Sequence, residues 1–240
     1  MVTDHRLASI DSRTFAAGRD ANPLVIVPVG ALEAHGPHLP LGADILQAEA
    51  TAQELAARLE AWVAPTLAYG SCPGAREFPG TVSLSLATLE AQARGVLSEF
   101  ARQGIRRIVV LSGHAERGHM AALREAAAET MRSHPAARIA VLSDYDFVYE
   151  LRGLDAPPTD GHGGLLETSR VMAIAPATVG PERPVVAYRA SRFVPGAPTA
   201  EEWPESVIGD TRGASGELGA KIQAHVLDRL VTEIRSILPA

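Results

Sequence analysis

The chain has 240 residues, of which 46% are apolar, and this length and composition predict one globular domain spanning residues 1–240. A single cysteine, Cys72, excludes an intramolecular disulfide and a cysteine-only zinc cluster, and a single lysine, Lys221, excludes a P-loop because it lies in the sequence GAKI. The net charge of −6 argues against nucleic-acid and anionic-membrane partners, while the absence of a long apolar run or an N-terminal apolar core predicts a cytoplasmic protein without a membrane span.

Strand-length apolar runs alternate with stretches of helical periodicity along the chain. The predicted strands cover residues 23–29, 62–67, 108–111 and 139–142, and the predicted helices cover 44–62, 86–103, 117–134, 167–175 and 217–238. Gly104 is well suited to end the second helix. This order predicts a three-layer α/β/α fold with a mostly parallel sheet. Residues 176–204 have little periodicity and form a long irregular segment.

Acid–histidine pairs follow two of the predicted strands. Glu33 and His35 come after the first strand, and His114 and Glu116 come after the 108–111 strand. In extended backbone, residues two apart project to one side, and ligands in an open α/β sheet bind beyond the carboxyl ends of the strands. Asp44 opens the next helix, so its carboxylate can return to the same edge. We therefore expect these five side chains to converge on one cleft.

These residue types are ligands of Zn²⁺, Mn²⁺ or Fe²⁺. A single such pair would be typical of a solvated loop, but two pairs directly after buried strands favour a metal site. Two divalent ions would balance the carboxylates of Glu33, Asp44 and Glu116 together with one bridging hydroxide, which would be a ready nucleophile at neutral pH. The residues alone thus favour a metal site, and the charge count is consistent with two ions.

Two further segments hold polar residues whose roles the sequence leaves open. His162 lies in a glycine-rich loop, either as an ordinary loop histidine or as a proton shuttle. Glu167 follows as a metal ligand, as an acceptor that orients a ligand, or as a carboxylate favoured by a helix N-terminus. In the loop 69–81, Cys72 and Arg76 are candidate substrate contacts, although Pro73 and the lack of an identifiable base favour an inert thiol at Cys72.

Four motifs in this order resemble the signature of the creatininase (creatinine amidohydrolase) family. They are PVGALEAHGPHLPLGAD over 28–44, FPGT over 78–81, SGH over 112–114 and HGGLLETS over 162–169. The resemblance implies a doubly wound α/β subunit, a binuclear zinc or manganese centre and hydrolysis of a C–N bond in a cyclic amide or related substrate. It also implies a homohexamer.

The resemblance also implies roles for individual residues. Glu33 and His114 would bind one metal, His35 and Glu116 the other, and Asp44 would bridge the two. A bridging hydroxide would attack a carbonyl, and His162 would deliver a proton to the leaving group. Many relatives have asparagine where this chain has Glu116; the acid is the creatininase-like version, so Glu116 is preferred as the last ligand over Glu167.

This chain differs from the family pattern at positions that are expected to contact the substrate. The loop before His162 lacks the tryptophan that holds the creatinine ring, and the second aromatic position is occupied by Tyr145. Asp160 and Arg76 add charge at the places where substrate contacts are expected. We therefore expect a small, more polar substrate than creatinine. The alternatives are cleavage of a keto-sugar or lactone on the same site and a non-catalytic metal-dependent subunit.

Two of the aromatic residues in the irregular segment 176–204 have two interpretations. Trp203 and Phe193 could pack on a neighbouring subunit and help close its cleft, or the segment could fold on its own subunit. The sequence does not distinguish them.

Overall fold

Four parallel strands form the central sheet. A computed structural model of the chain describes residues 5–21, 23–187 and 203–239. The strands are β1 (Leu24–Val29), β2 (Trp62–Val63), β3 (Arg107–Ser112) and β4 (Arg138–Ser143), and they lie in the order β2-β1-β3-β4. The parallel sheet predicted from the alternation of apolar runs is confirmed.

Helices cover both faces of this sheet. They are α1 (Ser12–Arg19), α2 (Ala43–Leu59), α3 (Leu86–Arg102), α4 (Arg117–Ser133), α5 (Tyr145–Val148), α6 (Leu165–Ile174) and α7 (Gly216–Ile237). Helices α2, α6 and α7 pack together on one face, and α3 packs with α4 on the other. A short antiparallel pair, β5 (Val185–Val186) and β6 (Gly209–Asp210), lies outside the main sheet.

The continuous apolar run of β1 serves two cores. Leu24 and Ile26 contact the core shared with α2 and α7, whereas Val25 and Val27 contact the core shared with α3 and α4. Alternate side chains of a strand point to opposite faces, so a strand covered on both faces must be apolar throughout. The three-layer arrangement follows directly from this pattern.

Strand β2 and helix α1 differ from the prediction, and the short elements α5, β5 and β6 were not predicted. Strand β2 pairs only over Trp62–Val63, because Pro65 has no N–H to continue the ladder, and Leu67 then returns to β1 through a single bridge to Val29. Helix α1 was not predicted from periodicity. Its signal was Asp11, whose carboxylate accepts the backbone N–H groups of Arg13 and Thr14.

The irregular segment 176–204 is described in part, over residues 176–187 and 203–204. Phe193 lies outside the described residues, whereas Trp203 is described and buried. Within the described ranges, the helices lack the combination of length and apolar content that crossing a bilayer requires.

Candidate metal centre

The predicted side chains Glu33, His35, Asp44 and His114 converge at the carboxyl ends of β1 and β3. Glu33 and His35 lie in the segment after β1, His114 follows β3, and Asp44 lies in the first turn of α2. All four are buried, with between 1% and 6% of their surface exposed. The convergence expected from the strand ends is therefore present.

One group of ligand atoms forms around His114. Its Nδ1 lies 3.0 Å from Glu33 Oε2 and 2.9 Å from Asp44 Oδ2. The opposite nitrogen, Nε2, lies 3.0 Å from the carbonyl oxygen of Ser71, to which it can only donate a hydrogen bond. In the neutral ring this leaves a lone pair on Nδ1, directed at the two carboxylates, which is the tautomer a metal ligand needs.

A second group forms around His35 with the same logic. Its Nε2 lies 3.2 Å from Asp44 Oδ1 and 3.5 Å from Glu167 Oε1. Its Nδ1 donates to the backbone carbonyl of Glu33 at 3.0 Å, which leaves the lone pair on Nε2. Asp44 thus contributes one carboxylate oxygen to each group.

Gly113 allows the end of β3 to lie close to the first turn of α2. A Cβ atom at Gly113 would lie 2.3 Å from the carbonyl oxygen of Asp44, well inside van der Waals contact. Only glycine lets the chain leaving β3 lie against the first turn of α2. This approach places His114 beside Asp44.

Three buried polar atoms of these groups lack hydrogen-bond partners. Among the described residues, Glu33 Oε2, His35 Nε2 and Asp44 Oδ2 are all buried without one. A neutral imidazole lone pair facing a carboxylate is repulsive unless a proton or a cation lies between them. Three buried carboxylates without neutralising charge would also be costly. Divalent cations fit both requirements.

The charges around the two histidines favour the positively charged form of each ring. Burial lowers the pKa of His35 and His114, but the carboxylates around each ring outweigh burial, so the net pKa of both lies well above its usual value. The facing carboxylate of Asp44 responds in the opposite sense: burial raises its pKa, yet the two histidines bring it down to about 2. The centre is therefore built for positive charge.

Glu167 is held in the second group by three donors. Its Oε1 accepts the hydroxyl of Tyr145 at 2.6 Å and the amide of Gln47 at 3.0 Å, and its Oε2 accepts the backbone N–H of Gly163 at 2.8 Å. Burial raises the pKa of Glu167, but His35, His162 and the hydroxyl of Tyr145 hold it well below the usual value. The carboxylate is thus fixed and ionised.

The helix that carries Glu167 is itself anchored by a buried ion pair. Arg170, one turn further along α6, donates to Asp144 at 2.8 Å, to Thr51 at 3.2 Å and to Gln223 at 3.1 Å. Its partners come from the end of β4, from α2 and from α7. This contact fixes α6, and therefore Glu167, against both neighbouring helices and the sheet.

Glu116, the sequence-preferred last ligand, lies elsewhere. Its carboxylate accepts the backbone N–H of His119 at 2.7 Å and caps α4. Among the described residues it belongs to none of the groups of candidate ligand atoms, whereas Glu167 forms one with His35 and Asp44. The helix begins at the next residue, and the Glu116 carboxylate turns toward the N–H groups of its first turn instead of toward the other ligand groups.

The four predicted substrate contacts are placed in different ways. Tyr145 is buried and bound to Glu167, and Asp160 is buried with its carboxylate on the backbone N–H groups of Leu165 and Leu166. Arg76 is exposed. Tyr145 therefore holds the candidate ligand Glu167, and Asp160 binds the first turn of the helix that carries it. Cys72 is buried beside Glu33 and His114, within the first group.

His162 lies against the second group. Its ring stacks on His35 with 4.1 Å between centroids, and its Nε2 donates to the carbonyl of Ala34 at 2.8 Å. Trp203 packs edge-on against His162 at 4.9 Å and against Phe78 at 5.8 Å. Trp203 therefore contributes to the centre of its own chain. This role of Trp203 is not predictable from the sequence, because Trp203 is remote from every motif.

Comparisons with known proteins match most of the chain to one family. The model of the family described as "Creatininase: Creatinine amidohydrolase" matches residues 8–234. The creatinine amidohydrolase of Pseudomonas putida is 35% identical over 190 residues, covering 72% of each chain. The mycofactocin precursor peptide peptidase of Mycolicibacterium smegmatis is 32% identical over 245 residues, covering 90% of this chain and 86% of its own.

Solved creatininase structures have the same fold over nearly the whole chain. A manganese form superposes with a TM-score of 0.88 at 27% identity, covering 99% of this chain and 100% of that one. A Zn-Zn form of a creatininase mutant superposes with a TM-score of 0.86 at 26% identity and the same coverage. This protein belongs to the creatininase family, whose members are metal-dependent amidohydrolases.

Proposed function

We propose that this protein hydrolyses a C–N bond in a small polar amide or cyclic amide with the help of two divalent metal ions. The observation that carries the proposal is the pair of buried ligand groups that share Asp44. Their orphaned oxygen and nitrogen atoms are the atoms that zinc or manganese would take. The manganese and Zn-Zn forms of creatininase support the same two metals.

The ligand sets follow from the two groups. Glu33, Asp44 and His114 would hold one ion, and His35, Asp44 and Glu167 would hold the other. Glu167 would thus take the place that the family resemblance assigned to Glu116. The carbonyls of Ser71 and Glu33 fix the tautomers of the two histidines, and Tyr145 fixes Glu167.

The ions, when bound, would act as Lewis acids on the substrate carbonyl and would lower the pKa of a water molecule bound to them. The chain's own contribution includes a proton donor beside them. Because Nε2 of His162 donates to the carbonyl of Ala34, Nδ1 is the nitrogen free to take up and release a proton. We therefore assign to Nδ1 of His162 the role of donating a proton to the leaving amine.

A substrate panel tests the proposed reaction. The zinc- or manganese-loaded protein is incubated with cyclic amides, formamides, short peptides, lactones and keto-sugars, and released amine and acid are measured. We expect amine release from a polar amide, abolished by a chelator and restored by metal. Cleavage confined to lactones or keto-sugars would contradict the proposed hydrolysis of a C–N bond and favour that other reaction. Bound metal without turnover of any substrate would favour a non-catalytic subunit.

Replacing His162 with alanine tests the proton donor. We expect the rate on the best substrate to fall by about 10²–10⁴-fold, since a positioned general acid contributes about that much, with the metal content unchanged. Turnover and metal per chain are measured on the same sample. His225→Ala, which removes a surface histidine paired with Glu150, is the control. Metal loss in His162→Ala would make this residue a ligand instead.

A further inference from the structure

Cys72 is placed at the metal centre by its loop. It is the only cysteine of the chain, and it is fully buried as a free thiol. Its backbone N–H donates to the hydroxyl of Ser83 at 2.8 Å, which ties the loop down beside the centre. The sulfur, a carboxylate oxygen of Glu33 and a ring nitrogen of His114 all lie within 4.8 Å of one another.

The neighbouring orphaned atoms indicate that an ion belongs among these three side chains. Glu33 Oε2 and Asp44 Oδ2, the two carboxylate oxygens that face Nδ1 of His114, are buried without hydrogen-bond partners. Ligand atoms on a tetrahedral zinc ion are about 3.5 Å apart, given bonds of about 2.0–2.3 Å. The ligand atoms of Cys72, Glu33 and His114 lie within 4.8 Å of one another, so small adjustments bring these three to such a site. Asp44 Oδ2 reaches the same ion through its position 2.9 Å from Nδ1 of His114.

A nucleophilic role for the thiol fits the contacts less well. A cysteine nucleophile needs a base that can take its proton. The adjacent imidazole of His114 has Nε2 on the carbonyl of Ser71 and Nδ1 on Glu33 and Asp44. Both nitrogens are therefore engaged, and the carboxylates leave the sulfur in negative surroundings.

We propose that Cys72 is a thiolate ligand of the ion held by Glu33, Asp44 and His114, and that it gives this position a preference for zinc over manganese. This inference rests on the proposed function, since it needs that ion. On binding, the S–H bond breaks, the proton leaves to solvent and a sulfur–metal bond forms. Thiolate is a soft ligand that suits zinc, whereas manganese prefers oxygen.

Cobalt substitution tests the thiolate directly. The full chain is stripped with a chelator and reloaded with Co²⁺ without oxygen, and its absorption spectrum is recorded. We expect a sulfur-to-cobalt charge-transfer band in the near ultraviolet that is absent from Cys72→Ser, while the weaker visible bands of bound cobalt remain in both. Because the chain has one thiol, no other residue can produce that band. Glu167→Gln, which alters the other ligand group, should keep it.

A competition measurement tests the metal preference. Zinc and manganese affinities are measured for both forms, whose folding is compared by circular dichroism. We expect Cys72→Ser to lose at least about tenfold in zinc affinity, with a much smaller change for manganese. Cobalt bound without the charge-transfer band, or equal losses for both metals, would overturn the role of Cys72 and leave the proposed function intact. Failure of the wild-type chain to bind any metal would overturn both.

Discussion

Replacing Asp44 with asparagine is expected to remove both metal ions and to lower the hydrolysis rate by about 10³-fold or more. Each carboxylate oxygen of Asp44 serves a different ligand group, at 3.2 Å from His35 and 2.9 Å from His114. An amide of the same shape offers one oxygen and places an N–H donor where the other oxygen was. The ions stabilise the transition state by several kcal/mol as Lewis acids, and losing that stabilisation corresponds to a rate reduction of about this size.

Elemental analysis of the purified variant, together with its rate on the best substrate, checks this prediction. Asp228→Asn is the matched control, because Asp228 pairs with Arg58 on the surface, where the carboxylate is 77% exposed. It should keep wild-type metal content and rate. If Asp44→Asn retained two ions per chain, Asp44 would not be shared between the groups and the proposed centre would be wrong.

Paired substitutions are expected to separate the two candidates for the last ligand. Glu167→Gln should weaken metal binding at the His35 group by at least about 10–100-fold, leaving close to one ion per chain. Glu116→Gln should keep the full metal content and instead weaken the cap of α4, at a cost of about 1 kcal/mol in the free energy of unfolding. Metal titration and denaturant unfolding of both variants measure these effects.

The opposite pattern would restore the ligand set that the resemblance implied. Full metal content in Glu167→Gln with metal loss in Glu116→Gln would mean that Glu116 leaves the helix cap when metal binds. Tyr145→Phe provides an independent check on Glu167, because it removes the 2.6 Å hydrogen bond to that carboxylate while preserving the ring. Its metal affinity should fall less than that of Glu167→Gln.

The sequence by itself determined the layered sheet and most of the centre. An apolar run such as β1 has one stable environment, buried on both faces, and the next residues must then lie at the carboxyl edge of the sheet. Glu33, His35 and His114 were predictable because each follows a buried strand, and Asp44 because it opens a helix. A hexameric assembly, which the resemblance implied, stays a prediction.

Only the tertiary structure decided between residues whose local sequences allowed two roles. Glu116 and Glu167 both begin helices, and what separates them is contact with Tyr145 and Gln47, which are remote in sequence from Glu167. Cys72 and Trp203 come to the centre through irregular loops, for which no periodicity predicts direction. Strand ends are positioned by local pattern, whereas loop side chains are positioned by the packing of distant segments, and that packing is set only when the chain folds.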